Sequence, residues 1–208
     1  MMSGVIGATG GKFVLLAATL LVHGRVDERR VGVAIAPGAA TSSIAPDLRA
    51  GRRIAIGIGA MRTRADTPRA GDQPAGVALT IGRDLIDGNP IAIDFPARQL
   101  RLLSARDAAR REARMTAIPI ARDADGGMTV PLSIDGAPAV RATLDLASPD
   151  GVGAPVAGGS SRIRIGGVAL AGVTATVAAQ PRVGLLAFAR STVIFDLGHD
   201  RIWIAATR

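Results

Sequence analysis

The 208-residue chain has no cysteine, which excludes disulfide bonds, thiolate nucleophiles and zinc-thiolate sites and leaves the redox compartment open. It has no tyrosine, one tryptophan and four phenylalanines, so its core must be built from Val, Ile, Leu and Ala. Lysine is nearly missing too, Lys12 being the only one, and the net charge of +8 rests on arginine. Those arginines are dispersed and have almost no aromatic partners on which bases could stack, which argues against nucleic acid as a partner. The two histidines, His23 and His199, read as surface residues at strand ends. With no metal-ligand spacing either, no metal site and no cofactor are expected.

What is present is a globular composition, 48% hydrophobic and 20% charged, on a chain long enough for one large domain or two small ones. The apolar run FVLLAATLLV (residues 13–22) follows Lys12 and is too short to span a bilayer. Two readings of residues 1–21 stand side by side: a signal segment, which would make the protein periplasmic or secreted, or the first strand of the domain. The preceding GVIGATGG (residues 4–11) looks like a dinucleotide-binding glycine turn only superficially. It lacks the full strand before it, the helix after it and the acidic residue about twenty positions on.

The chain repeats itself. IGRDLIDGNPIAIDFPARQLRL (residues 81–102) lies over VGLLAFARSTVIFDLGHDRIWI (residues 183–204) without a gap, matching Gly82 to Gly184, Asp94 to Asp196, Leu100 to Ile202 and Leu102 to Ile204. Upstream, GRVDERRVGVAIAPGAA (residues 24–40) parallels LSIDGAPAVRATLDLAS (residues 132–148), with a one-residue difference in the hairpin turn. Asp135-Gly136 in the second copy is a strong tight-turn signal. Each copy ends a strand at a special loop, Ala36-Pro37-Gly38 in one and Asp145-Leu146-Ala147 in the other. Hairpin material follows in residues 52–65 and 161–178. The spacing therefore predicts two β-rich lobes, residues 22–103 and 118–208, joined by a linker at 104–117. Within it SARDAARREARM (residues 104–115) carries a capping-box pattern, Ser104 then Asp107, and reads as a solvated helix.

In this order of strand, hairpin, special loop, flap-like hairpin, IGRDL and IDFPARQLRL, the chain resembles the retropepsin-like and pepsin-like aspartic proteases over about residues 22–208, once per lobe. IGRDLIDGNPIAIDF is the most specific piece and the loops are the least faithful. The resemblance implies a mainly β fold of two pseudo-symmetric, closed, barrel-like lobes joined by a short helical linker. It also implies an aspartate from each lobe at the floor of a shared cleft, the pair holding one proton because like charges so close cannot both ionise cheaply. On that pattern Asp145 is the second-lobe catalytic aspartate, while Ala36 stands where the first should be. Leu146 and Ala147 replace the threonine and glycine of the second loop. Arg83 is kept, but the acid it would pair with is replaced by Ala40, and there is no tyrosine for a flap.

The expected function follows: an aspartic-peptidase-like protein, inactive or weakly active, whose cleft binds extended peptide or unfolded protein, and a monomer because one chain supplies both lobes. The alternative is an active aspartic endopeptidase using Asp145 with an unidentified second carboxylate. A plain structural role for Asp145 is capping the Leu-Ala-Ser-Pro-Asp-Gly turn that follows it. Asp94 and Asp196 read as turn residues, Asp84 and Asp87 as helix-terminal charges, and Thr41 to Ser43 as hydroxyls without an activating partner.

Overall fold

The computed structural model describes residues 11–16, 19–48, 51–58, 61–155 and 162–205. Most of GVIGATGG, and the start of the segment read as a possible signal, lie outside them. Several strands end at or close to Gly, Pro or Asp, as do those before Pro37-Gly38 and Asp135-Gly136. The first half runs β1 (Gly11–Leu16), β2 (Thr19–Val26), β3 (Arg29–Ile35), β4 (Ser43–Ile44), β5 (Arg53–Ile58), β6 (Met61–Asp66), β7 (Arg69–Ala70) and β8 (Leu79–Ile81). A one-turn helix α1 (Arg83–Ile86) and a hairpin of β9 (Ile91–Asp94) and β10 (Gln99–Leu102) complete it.

Helix α2 (Ala105–Glu112) leads into the second half, with Ser104 as its N-cap accepting from Asp107 N at 3.2 Å. There follow β11 (Met115–Pro119), β12 (Ala121–Arg122), β13 (Met128–Ile134), β14 (Val140–Asp145), β15 (Val152–Ala154), β16 (Ile163–Ile165), β17 (Val168–Ala169), β18 (Ala175–Val177) and β19 (Arg182–Gly184). A 3-10 turn, Leu185–Phe188, then precedes β20 (Thr192–Asp196), and a second, Leu197–His199, precedes β21 (Arg201–Ala205).

The protein is mainly β, in two curled half-barrel sheets. One follows the order β11-β21-β20-β9-β10-β1-β2-β3-β8-β4-β7, with β5 and β6 branching from β2. The other follows β17-β16-β13-β14-β19-β15-β18, with β12 on β13. The first sheet takes strands from both halves of the chain, joined where β9 meets β20 antiparallel. There Ile91 faces Phe195 and Ile93 faces Val193. Under the alignment of the two sequence copies Ile91 corresponds to Val193 and Ile93 to Phe195, so exchanging the copies returns the same pairs. That self-complementarity is the signature of a two-fold relation.

The repeat reaches down to individual hydrogen bonds. β3 runs parallel to β8 with Ile35 opposite Ile81, and β14 runs parallel to β19 with Leu144 opposite Val183. β4 is antiparallel to β8 as β15 is to β19, and β4 is parallel to β7 as β15 is to β18. At the hairpin turns Asp27 N donates to Ala55 O while Asp27 Oδ1 accepts from Ala55 N. Asp135 makes the same exchange with Arg162. Asp135 and Gly136 have φ of 51° and 85°, the left-handed pair that a two-residue primed turn requires.

The run FVLLAATLLV lies across β1 and β2, which pair with each other, while β1 also pairs with β10. Phe13 is 4% exposed and stands edge-on to Phe95 with ring centroids 6.0 Å apart. Among the described residues no helix is long and apolar enough to cross a membrane, which says nothing of crossing by strands.

Candidate functional site

Period-two alternation along β14 puts Ala142 and Leu144 in the core and leaves Thr143 and Asp145 exposed. The chain then turns back at once: Ser148 N donates to Asp145 O at 3.1 Å, closing a four-residue turn. The first half does the same after β3, where Ala39 N donates to Ala36 O at 2.9 Å. Each loop is then held by the motif after the matching strand, through Arg83 N to Ala39 O at 2.8 Å and Leu185 N to Ser148 O at 3.2 Å. Ala36 and Asp145 are therefore equivalent positions by strand register and by turn hydrogen bonding.

Gly82 and Gly184 precede those motifs for a steric reason. A Cβ at Gly82 would sit 2.6 Å from Thr41 C and 2.9 Å from Ala39 O, and one at Gly184 would run into Asp150 O. Both glycines have extended backbone, so close approach to the loop, not a left-handed conformation, demands them.

The two loops touch. A Cβ on Gly38 would collide with Ala147 N and lie 2.7 Å from Ala147 Cβ. Residues two positions beyond Ala36 and Asp145 thus meet face to face, as a shared site built from both halves requires. The chemistry there is sparse. Asp145 Oδ1 accepts from Ala147 N at 3.1 Å, an Asx-type turn in which the carboxylate caps its own loop. Among the described residues no ion pair or side-chain hydrogen bond links Asp145 to another carboxylate, and its downstream neighbour Asp150 is held by Arg182 at 2.8 Å. Ala36 contributes a methyl group.

Arg83 lies between the halves without an acid. Its terminal nitrogen approaches Met128 Sδ of β13 at 4.0 Å, and its buried Nε has no hydrogen-bond partner. Ala40, where an acid would stand, is exposed. The hydroxyl and carboxylate of Ser42 and Asp84 have found each other instead. Ser42, 3% exposed, donates from Oγ to Asp84 Oδ1 at 2.6 Å and from N at 2.9 Å, and its Oγ accepts from Gly82 N at 2.9 Å. This network fixes the loop to α1, and its burial makes Ser42 a brace, not a nucleophile.

The hairpin of β5 and β6, expected to be flap-like, is anchored to the end of β2 remote from Leu20, the residue opposite Ile35. It lines a groove that reaches Thr41 and Ser42 but includes neither residues 36–38 nor residues 145–147. The tip, residues 59–60, lies outside the described residues.

A second polar cluster joins residues that no local pattern connects. Asp196, 7% exposed, accepts from or shares a proton with His199 Nδ1 at 2.8 Å, and Glu112 of α2 lines the same cavity with Trp203. Glu112 Oε1 and Trp203 Nε1 are buried there without partners. Burial, then the Asp196 charge, holds the Glu112 carboxyl above its ordinary range, while the hydrogen bond to Asp196 raises His199. Asp94, the sequence counterpart of Asp196, does something simpler and caps Ala97 N at 2.9 Å.

A scan against protein-family models finds no match, and no curated protein matches the chain.

Proposed function

We propose that this chain is a two-lobed homologue of the retropepsin-like and pepsin-like aspartic proteases, with closed barrel-like lobes, that has lost the paired-carboxylate chemistry. It keeps the inter-lobe groove as a binding site for extended peptide and works as a monomer. The observation that supports this most is the equivalence of Ala36 and Asp145 in two loops that touch through Gly38 and Ala147. Two aspartates at those positions would form a dyad, and one aspartate opposite a methyl group does not.

The loss is severe in mechanistic terms. General acid or base assistance is worth roughly 10²- to 10⁴-fold per group, and members of a coupled dyad act as a unit. Among the described residues Asp145, exposed and capping its own turn, is hydrogen-bonded to no second carboxylate that could share a proton with it. Arg83 without an acid is consistent with a site no longer maintained for catalysis.

The test is an assay of the purified protein on unfolded protein substrates from pH 3 to 7, beside Asp145→Asn. Equal, background-level cleavage by both is expected. Cleavage by the parent that disappears in Asp145→Asn would establish an active endopeptidase and overturn the proposal.

A further inference from the structure

A groove with a volume of about 730 Å³ lies between the β5–β6 hairpin and the segment carrying α1 and β10. That is the size range of sites for small organic ligands. Its apolar lining includes Leu85 and Leu102, which are only half-buried, and the core residues Ile56 and Ile81. Its rim carries three exposed arginines, Arg53, Arg64 and Arg69.

The charges on that rim are poorly balanced. Among the described residues the side chains of Arg64 and Arg69 have no ion pair. Arg53 has a long hydrogen bond to Arg64 O at 3.4 Å and a 3.8 Å contact to Asp66, whose side chain is 95% exposed, an ion pair of little energetic worth. The other carboxylate of the groove, Asp84, is already engaged by Ser42 N and Oγ. An incoming molecule meets three guanidinium groups against the two carboxylates of Asp66 and Asp84, an excess of positive charge in a chain of net charge +8.

From this we infer that the groove binds a small amphiphilic anion, its apolar body on Leu85 and Leu102 and its carboxylate or phosphate head among Arg53, Arg64 and Arg69. Arginine suits either head because its planar fork matches both in bidentate geometry. The site does not depend on Asp145, since neither residues 36–38 nor residues 145–147 line it, although the groove reaches Thr41 and Ser42 beyond the first turn.

Isothermal titration of the parent with dodecanoate, dodecyl phosphate and uncharged dodecanol tests the inference. Saturable binding of one dodecanoate or dodecyl phosphate per chain is expected, at least tenfold tighter than dodecanol, and the tighter of the two identifies the head group. The double variant Arg64→Ala/Arg69→Ala should weaken the anion at least tenfold. The charge-matched pair Arg29→Ala/Arg106→Ala, on exposed residues that do not line the groove, should leave it unchanged. No saturable binding, equal binding of dodecanol, or an equal loss in the charge-matched pair would each overturn the inference. The comparison with dodecanol uses the parent alone, so the result stands even where a variant folds poorly.

Discussion

Glu112 and His199 both keep their protons to higher pH in the folded protein than in the unfolded chain, Glu112 because it is withdrawn from water beside Asp196 and His199 because it bonds to the Asp196 carboxylate. The consequence for stability has one sign. For His199 the stabilisation is fully present below about 6.5 and is lost as pH rises through its raised value. For Glu112 stability falls as pH climbs from about 4.5 to its raised value, because the folded state resists giving up the proton. Urea midpoints measured from pH 4 to 8 should therefore decline with pH across this window. Glu112→Gln should flatten the lower part of that decline and His199→Asn the upper part, and an unchanged slope in both would contradict the cluster. At Ser42 the expectation is a loss of about 1–3 kcal/mol in Ser42→Ala, since the buried Gly82 N–H loses its acceptor and Asp84 loses the hydroxyl while keeping the backbone N–H of residue 42. Urea unfolding of the variant at pH 7 measures it.

Among the elements, β1 carries the clearest energetic burden for its length. Phe13 is buried against Phe95 and the strand bridges β10 and β2, so Phe13→Ala should cost about 3–5 kcal/mol by urea unfolding. A cost below about 1 kcal/mol would mean that the strand is dispensable to the fold. The elements that the sequence makes legible are those whose requirement is local. Asp135-Gly136 announces itself because both residues need left-handed backbone, whereas Gly82 and Gly184, which approach the carbonyls of loops far earlier in the chain, are marked only by the repeat. Pairings across long stretches of chain leave no such mark. Nothing around Glu112 signals that α2 will carry it to Asp196 and His199, and nothing around Ser42 signals Asp84. Asp94 and Asp196 match in the alignment yet diverge in role, because Ala97 offers an N–H three residues after Asp94 while His199 stands three residues after Asp196.

For the molecule as a whole, the decisive feature is the two-fold relation that runs through the β9–β20 pairing and brings the two loops into contact. The sequence repeat makes that relation visible, and it also marks Ala36 as the counterpart of Asp145. What it leaves hidden is that the loops meet, because the contact of Gly38 with Ala147 arises only once both halves are folded. On the proposed function, Ala36 occupies the place of a missing catalytic partner. Carboxyl titration by NMR of the Ala36→Asp variant, beside Ala36→Asp/Asp145→Asn, tests it most directly. Two carboxyls placed together cannot both ionise cheaply, so one should titrate above the ordinary aspartate value of about 3.9 in the first variant and return toward it in the second. A carboxyl at position 36 that titrates identically whether or not Asp145 is present would contradict the claim.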